Sequence, residues 1–348
     1  MDTTQTPPQT ISELLTEWGE PAYRARQVLQ AKRHGAMDWE AVSSLSKPLR
    51  QRLAEAAPLW SFTPETEQTS TDGTIKWRLR ASDGRPYEAV LIAHARGRRT
   101  LCVSSQVGCA LGCGFCATGM LGPGRDLSAG EIVDQALLAS AVAERDGARL
   151  ANVVFMGMGE PLQNLDAVLA ACGAINDPET LGISARKIAI STAGWVPGIA
   201  ELAEHPLPVR LAISLHAADD ETRSRLMPIN KRYPIATLLG ACRRYCDTTG
   251  RRIFIEYLLL DGVNDSPEQA KKLASVIRDG RFHVNLIEYN PTAGPYRASS
   301  VDRRERFVAV LARAGIEASV RRSRGADIAA ACGQLALTKS PRSAAPSS

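Results

Sequence analysis

Three cysteines, Cys109, Cys113 and Cys116, stand within the stretch SSQVGCALGCGFCATG, residues 104–119. A C-x3-C-x2-C spacing gathers three thiolates on one loop, which is how a chain holds a metal centre. Two chemistries fit. A closed zinc site needs a fourth ligand, such as His216 or a distant cysteine. Three thiolates on a four-iron cluster instead leave one iron open, and an open position is where a metal centre does chemistry. Spacing alone does not choose between iron and zinc.

Five further cysteines lie outside this loop. Cys102, in TLCVSS, reads as a buried strand residue, and Cys332, in AAACGQLA, as a helix-core residue. Cys242 and Cys246, four apart, share one helical face as a ligand pair would. They have no His or Cys partner nearby, so with Cys172 they are expected in the core.

The elements that must position these residues follow from periodicity. Residues 11–57 read as short helices: ISELLTEWG stops at a glycine, and PAYRARQVLQAKRHG and KPLRQRLAEAA open near prolines. They carry Arg24, Arg26, Lys32, Arg33, Lys47, Arg50 and Arg52, either an RNA-touching module or the solvated faces of packing helices. Between 60 and 106 the period becomes two, with Asp72-Gly73 and Asp83-Gly84 at tight turns. After 106, short apolar strands (NVVFMGMG, KIAIST, VRLAISLH, RIFIEYLLL, VNLIEYN) alternate with helical stretches. That rhythm predicts an α/β fold of βαβ units around a parallel sheet of roughly six strands, doubly wound or an incomplete barrel. In both, the site lies at the carboxyl ends of the strands.

Composition sets the frame. A chain of 348 residues with 44% hydrophobic and 23% charged residues has the makings of a large core and is not of the disordered class. Its eight irregularly spaced cysteines do not form a secreted disulfide framework and point to a reducing compartment. No apolar run of membrane-spanning length and no secretory signal pattern is seen, so a cytoplasmic protein is expected. The net charge of +5 agrees with a polyanionic partner without demanding one. The first and last ten residues are polar and rich in Pro or Ser, and are expected to be disordered.

The cysteine spacing, with Phe115 before its last member, resembles that of the radical S-adenosylmethionine (SAM) enzymes. The rest of the chain is similar to the RNA adenine methyltransferases of the RlmN/Cfr group. The stretches that carry this are LCVSSQVGCALGCGFCATG, MGMGEPL, ISTAG, ISLHA, RLMPINKRYP, EYLLLDGVNDS, VNLIEYNP and DIAAACGQLA, in order from about 100 to 336, with YRARQVL nearer the N-terminus.

This resemblance implies a partial (β/α)6 radical SAM barrel with a small N-terminal helical domain and a β-strand extension. The implied boundaries are 1–57 for an RNA-binding helical domain, 58–98 for the extension, 99–338 for the core with its C-terminal cysteine, and 339–348 for a disordered tail. A [4Fe-4S] cluster on Cys109, Cys113 and Cys116 would take SAM at its open iron, two SAM being used per turnover. SAM contacts are implied at Gly159, Glu160, Ser191, Ser214, Leu215, His216 and Asn290. A flexible turn at Gly159 would let backbone approach the ligand, and a carboxylate at Glu160 suits an ammonium group.

Adenine carbon 2 or 8 is too weakly nucleophilic to attack SAM directly, whereas a thiol is not. The resemblance makes Cys332 the residue methylated first. The cluster then breaks a second SAM to a 5′-deoxyadenosyl radical, which takes a hydrogen from the Cys332 methyl group, and the methylene radical adds to adenine. Cys102 would release the product through a transient disulfide with Cys332, which requires the two to meet over the cluster. Glu88 is implied as proton acceptor, with Cys102 as the other candidate and an exposed strand carboxylate as the plain reading of Glu88.

Pro161, Glu256 and Asp261 resemble the carbon 2 type, the carbon 8 type being the alternative; Met120, Glu288 and Ala329 depart from the usual pattern. The implied substrates are an adenosine of large-subunit ribosomal RNA and the adenosine 3′ to the anticodon of some tRNAs. The basic helices, HARGRR and Arg321, Arg322 and Arg324 are the candidates for RNA backbone contacts. A low-potential donor such as flavodoxin or ferredoxin, no membrane, and a monomer complete the expectation. From another class, a zinc-stabilised RNA-binding protein without catalysis is the alternative.

Overall fold

The computed structural model describes residues 10–279, 281–321 and 323–336. Three short helices, α1 (Ile11–Glu17), α2 (Tyr23–Arg33) and α3 (Lys47–Ala56), precede four strands, β1 (Phe62–Thr69), β2 (Ile75–Ala81), β3 (Pro86–Ala93) and β4 (Arg98–Cys102). Next come α4 (Ala117–Leu121), α5 (Ala129–Arg145), β5 (Arg149–Phe155), α6 (Leu165–Asn176), β6 (Ile188–Thr192), α7 (Val196–Glu204) and β7 (Arg210–Ser214). The chain continues through α8 (Asp220–Leu226), α9 (Ile235–Thr249), β8 (Ile253–Leu259), α10 (Pro267–Val276), β9 (Phe282–Glu288), α11 (Val301–Arg313) and β10 (Ala318–Arg321).

All ten strands form one sheet in the order of the chain, β1 to β10. β1–β4 pair antiparallel and β4–β10 parallel. A doubly wound sheet must reverse its strand order; this one never does, so it curls one way with its helices outside. Its two edges, β1 and β10, do not pair with each other. The result is an incomplete barrel extended by a meander, as expected, with β10 the parallel strand that periodicity missed. Its four residues, half-buried at the ends and exposed between them, carry no period-two signal.

Local sequence accounts for the helices. Ser128 opens α5 with a reciprocal cap, accepting from Glu131 N while Ser128 N donates to Glu131 Oε2. Asp219, Ser266 and Ser300 cap α8, α10 and α11. Cys172 and Cys242 are fully buried and Cys246 nearly so, all in the main core.

Two expectations need correction. On β2 the face opposite the core closes at one end: Lys76 is 5% exposed and pairs with Glu88, whereas Arg80 is exposed. Glu88 is thus no exposed carboxylate. Nor is Lys32 part of a solvated basic face. It is buried beneath α5 in an ion pair with Asp134, its ammonium 4.6 Å from the centre of the Trp60 ring, and it ties the helical module to the barrel. The terminal segments expected to be disordered, and Arg322, lie outside the described residues, apart from Thr10, the N-cap of α1.

Candidate active site

Cys109, Cys113 and Cys116 sit on the loop from β4 to α4, with Cys116 capping α4. Cys109 N donates to Gly122 O at 2.9 Å, and Gly114 N donates to Leu226 O at 2.9 Å, tying the loop to the end of α8. A side chain on Gly119 would come within 2.9 Å of Cys113 N, so the loop closes this tightly only over glycine. The three thiols act on one another electrostatically, and Cys113 and Cys116 rest against the apolar cluster that holds Phe115, Leu226, Met227, Leu258 and Ile287. Burial pushes the Cys109 thiol up to about 12; burial and then its neighbouring thiols push Cys113 well above the usual range.

Such thiols stay protonated until a metal takes the proton's place. Among the described residues, no three His, Cys, Asp or Glu side chains close around a single ion's position. Ligands to separate irons of a cluster stand farther apart than ligands to one zinc. Three soft donors facing one another in an apolar setting fit the cluster. His216 joins no zinc set: it lies edge-on to Phe115, ring centres 4.8 Å apart.

The implied SAM residues line the adjoining strand ends. Glu160 is 2% exposed; its Oε2 accepts from Ala193 N at 2.8 Å and its Oε1 from Leu162 N at 3.1 Å. Burial outweighs those donors and lifts its carboxyl to about 7. It lies close enough to Cys109 and Cys113 to act on both thiols. Gly159 has φ +101°, and a side chain there would meet Gln106 Cβ at 2.6 Å and Gln106 N at 2.8 Å. The expectation was a turn left bare for a ligand; the bare position is filled by Gln106, whose Oε1 accepts from Glu160 N at 2.8 Å.

Ser191 stands near the end of β6, and Ser214 ends β7. Leu215 N donates to Glu256 O at 3.1 Å. His216 follows with φ +55°, an uncommon conformation for a side-chain-bearing residue. Asn264 holds it there, donating to His216 O at 2.7 Å, while Leu258 N donates to His216 Nδ1 at 3.0 Å. Burial, with Arg223 adding to it, keeps the imidazole neutral, its value lowered to about 3. Because Nδ1 accepts, the proton is on Nε2, which makes Nε2 a donor.

Cys332 arrives from the far end of the chain. After β10 the backbone crosses the open side of the barrel to the meander. Gly325 N donates to Asp72 Oδ2 at 3.1 Å, and Asp327 accepts from Ser70 Oγ and Thr71 N at 2.5 and 3.0 Å. Lys76 Nζ donates to Ala329 O at 3.3 Å, and Ala336 N donates to Glu88 Oε2 at 3.1 Å. On the other flank Ala117 N donates to Gly333 O at 2.8 Å, Thr118 Oγ1 to Leu335 O at 2.7 Å, and Asn290 Nδ2 to Cys332 O at 3.5 Å. Cys332 is therefore in a turn of this segment, not in a helix core. It is held next to the helix that Cys116 caps and within electrostatic reach of Cys102.

Some side chains at the site escaped the motif reading. Arg223 is fully buried and donates to Leu215 O, Asn230 Oδ1, Ala193 O and Ser214 O at 3.1, 2.9, 2.7 and 3.2 Å. It joins the ends of β6 and β7 beside Cys113. It stands two positions before RLMPINKRYP, in a run that reads as charged surface. Arg321, a candidate for the RNA backbone, is half-buried, with Nη1 3.5 Å from Met156 Sδ.

Comparison with known proteins agrees with this geometry. The Radical SAM superfamily profile matches residues 103–274, and that of the ribosomal RNA large subunit methyltransferase N-terminal domain matches residues 3–59. A dual-specificity RNA methyltransferase RlmN of Anaeromyxobacter sp. is 47% identical over 344 residues, 96% of this chain and 90% of the relative. That of Syntrophobacter fumaroxidans is 46% identical over 335 residues, 94% and 96% of the two chains. The crystal structure of a radical SAM methyltransferase from Sphaerobacter thermophilus superposes with a TM-score of 0.89 at 49% identity, covering 94% of this chain and 98% of that one.

Proposed function

The chain belongs to the dual-specificity RNA methyltransferase RlmN family of radical SAM enzymes, and from that premise we propose that it methylates carbon 2 of adenine by way of a methyl group carried on Cys332. Its substrates are an adenosine of large-subunit ribosomal RNA and the adenosine 3′ to the anticodon in tRNA. The observation that carries the reading is the docked C-terminal segment, which brings Cys332 to both Cys102 and the cysteine loop.

When bound, the [4Fe-4S] cluster supplies an electron to SAM and thereby a carbon radical able to take hydrogen from an unactivated methyl group. The chain does the rest. Cys109, Cys113 and Cys116 hold the cluster. Glu160 takes the ammonium end of SAM, the Nε2–H of His216 donates to a SAM oxygen, and Gly159, Ser191, Ser214, Leu215 and Asn290 complete the walls. Arg223 fixes two strand ends in place. Cys332 accepts the methyl group, and Cys102 later attacks the Cys332 sulfur to free the product.

Two residues are candidates to take the ring proton: Glu88, linked to the Cys332 segment through Ala336, and Cys102. A flipped-out adenine must reach this place, since a stacked base presents no access to carbon 2. Exposed Arg26, Lys47 and Arg52 of the helical module (1–57), with Arg96 and Arg98 beyond it, offer charge to the RNA backbone; the extension (58–98) joins that module to the core (99–338). The reading carries with it a monomer, a flavodoxin- or ferredoxin-like donor, and a cytoplasmic setting whose reducing poise keeps the thiols free. Among the described residues no helix is long and apolar enough to cross a membrane.

Glu160 makes SAM binding depend on pH. Its folded value, about 7, lies above the ordinary 4.5, so the unfolded chain ionises first and the carboxyl costs stability as pH rises from 4.5 to 7. The cost is constant above that. A cation at Glu160 favours the ionised form, so affinity for SAM rises as pH passes upward through 7. Between about pH 6 and pH 8 the gain should be about five- to tenfold, read by calorimetry on the cluster-loaded protein. Glu160→Gln should weaken binding and flatten the profile; an unchanged profile would remove Glu160 from the SAM site.

The function itself is tested anaerobically with SAM, a reductant and unmodified ribosomal RNA or tRNA, followed by nucleoside mass spectrometry. 2-Methyladenosine is the expected product. 8-Methyladenosine would reassign the carbon, and neither product, despite SAM cleavage, would overturn the substrate.

A further inference from the structure

Strand register brings four residues to one face of the meander. Lys76 on β2 lies opposite Val90 on β3, and Val90 lies opposite Cys102 on β4. Residues paired in this way share a face, and so does Glu88, two positions before Val90. Lys76 and Glu88 are thus diagonal neighbours on the face that carries Cys102. Lys76 Nζ stands 3.7 Å from Glu88 Oε1, and the two residues are 5% and 1% exposed. Each member of this pair also holds the C-terminal segment. Lys76 Nζ donates to Ala329 O at 3.3 Å, and Glu88 Oε2 accepts from Ala336 N at 3.1 Å. Cys332 lies between those two attachment points. Ala329 has φ +51°, a conformation that alanine seldom adopts, and its carbonyl is the one that Lys76 binds. The backbone of Glu88 is fixed in turn, its carbonyl accepting from Ser104 Oγ at 2.6 Å, two residues beyond Cys102.

We propose that Lys76 is a positioning residue for Cys332: with Glu88 it forms a buried ionic clamp that grips the Cys332 turn on both sides and sets it over the face that carries Cys102. The inference deepens the function proposed above and rests on Cys332 as methyl acceptor. A sulfur takes a methyl group only when it stands in line with the bond that breaks, so a thiol on a loose segment would spend little time in reach. The clamp restrains the turn from the meander, on the flank opposite Ala117 and Thr118. A buried ion pair holds best when backbone groups take up its remaining donors and acceptors, and here those backbone groups belong to the segment itself. Lys76 carries no methyl group and moves no proton. Its effect on the reaction passes through the carbonyl of Ala329 and the carboxylate of Glu88.

Hydrogen exchange tests the clamp without turnover. Full-length, cluster-loaded protein free of SAM is followed anaerobically by mass spectrometry, the peptide over 325–336 being compared with peptides of β8 and α5. Lys76→Met should speed exchange in 325–336 about tenfold, as loss of a hydrogen bond to a charged group does, and leave β8 and α5 unchanged. Removing Lys76 alone alters the charge around a buried carboxylate, which by itself weakens a fold. Lys76→Met combined with Glu88→Gln buries neither charge, keeps an oxygen for Ala336 N, and should show the same local change. Methyl loading of Cys332 from SAM, without RNA, is then read on the same peptide. In Lys76→Met it should slow about tenfold at saturating SAM, while SAM affinity measured by calorimetry stays the same. Unchanged exchange of 325–336 in the double variant, or a rise that spreads to β8 and α5, would overturn the clamp. Faster exchange with loading at the wild-type rate would overturn the positioning role. The prior reading fails separately, if wild-type protein treated with SAM bears no methyl group on Cys332; exchange still reads the clamp in that case.

Discussion

Cys332→Ala is expected to abolish formation of 2-methyladenosine, by on the order of a thousandfold or more, because no other group takes over a covalent carrier. The substitution removes one sulfur from a turn whose backbone is held by Ala117, Asn290 and Gln334, the last donating from Nε2 to Pro291 O at 3.0 Å. None of those bonds uses the Cys332 side chain. Cluster absorbance and SAM binding should therefore survive, and nucleoside mass spectrometry should read zero product. Residual methylation at wild-type rate would mean that the methyl group reaches adenine without passing through this residue.

Cys102→Ala is expected to be as severe in turnover, but to stop the reaction at a different point. With the methylene already bonding Cys332 sulfur to adenine, release needs a second thiol to attack that sulfur, and Cys102 is the thiol within reach. Burial pushes Cys102 up to about 12, with Cys332 adding to the rise; neither solvent nor a small thiol substitutes for it easily. The variant should accumulate a covalent protein–RNA species that runs slowly on a denaturing gel and disappears on ribonuclease digestion. Free methylated RNA would exclude Cys102 from release. Absence of both product and adduct would assign Cys102 an earlier step, the removal of the ring proton, and leave Glu88 as an anchor.

Glu88 shows how far one strand's residues can be read alone. Within its own strand it has two readings, a proton acceptor and a plain exposed carboxylate, the second because a meander strand with one open face is the common case. Both faces are covered here: Ser104 Oγ donates to the Glu88 carbonyl at 2.6 Å, and the C-terminal segment lies across the side chain. The cover over the side chain comes from Ala336, 248 positions away, which no local window contains. Lys32 is the same case, buried against Asp134. A basic residue in a polar run looks solvated until a distant carboxylate or thiol is brought to it.

By itself the sequence determined the cysteine loop, the βαβ rhythm, the glycine turns and the family, since these depend on residue type and short spacing, which sterics and hydrogen bonding translate directly into local structure. It also marked Cys102 and Cys332 as a pair through the resemblance. The unreversed order of the sheet, the locking of the strand ends by Arg223 and Asn264, and the path of the last described segment across the open barrel, which brings Cys332 within electrostatic reach of Cys102, came from packing. Those outcomes depend on which surfaces must be buried together across hundreds of residues, and burial of that kind is a property of the whole chain.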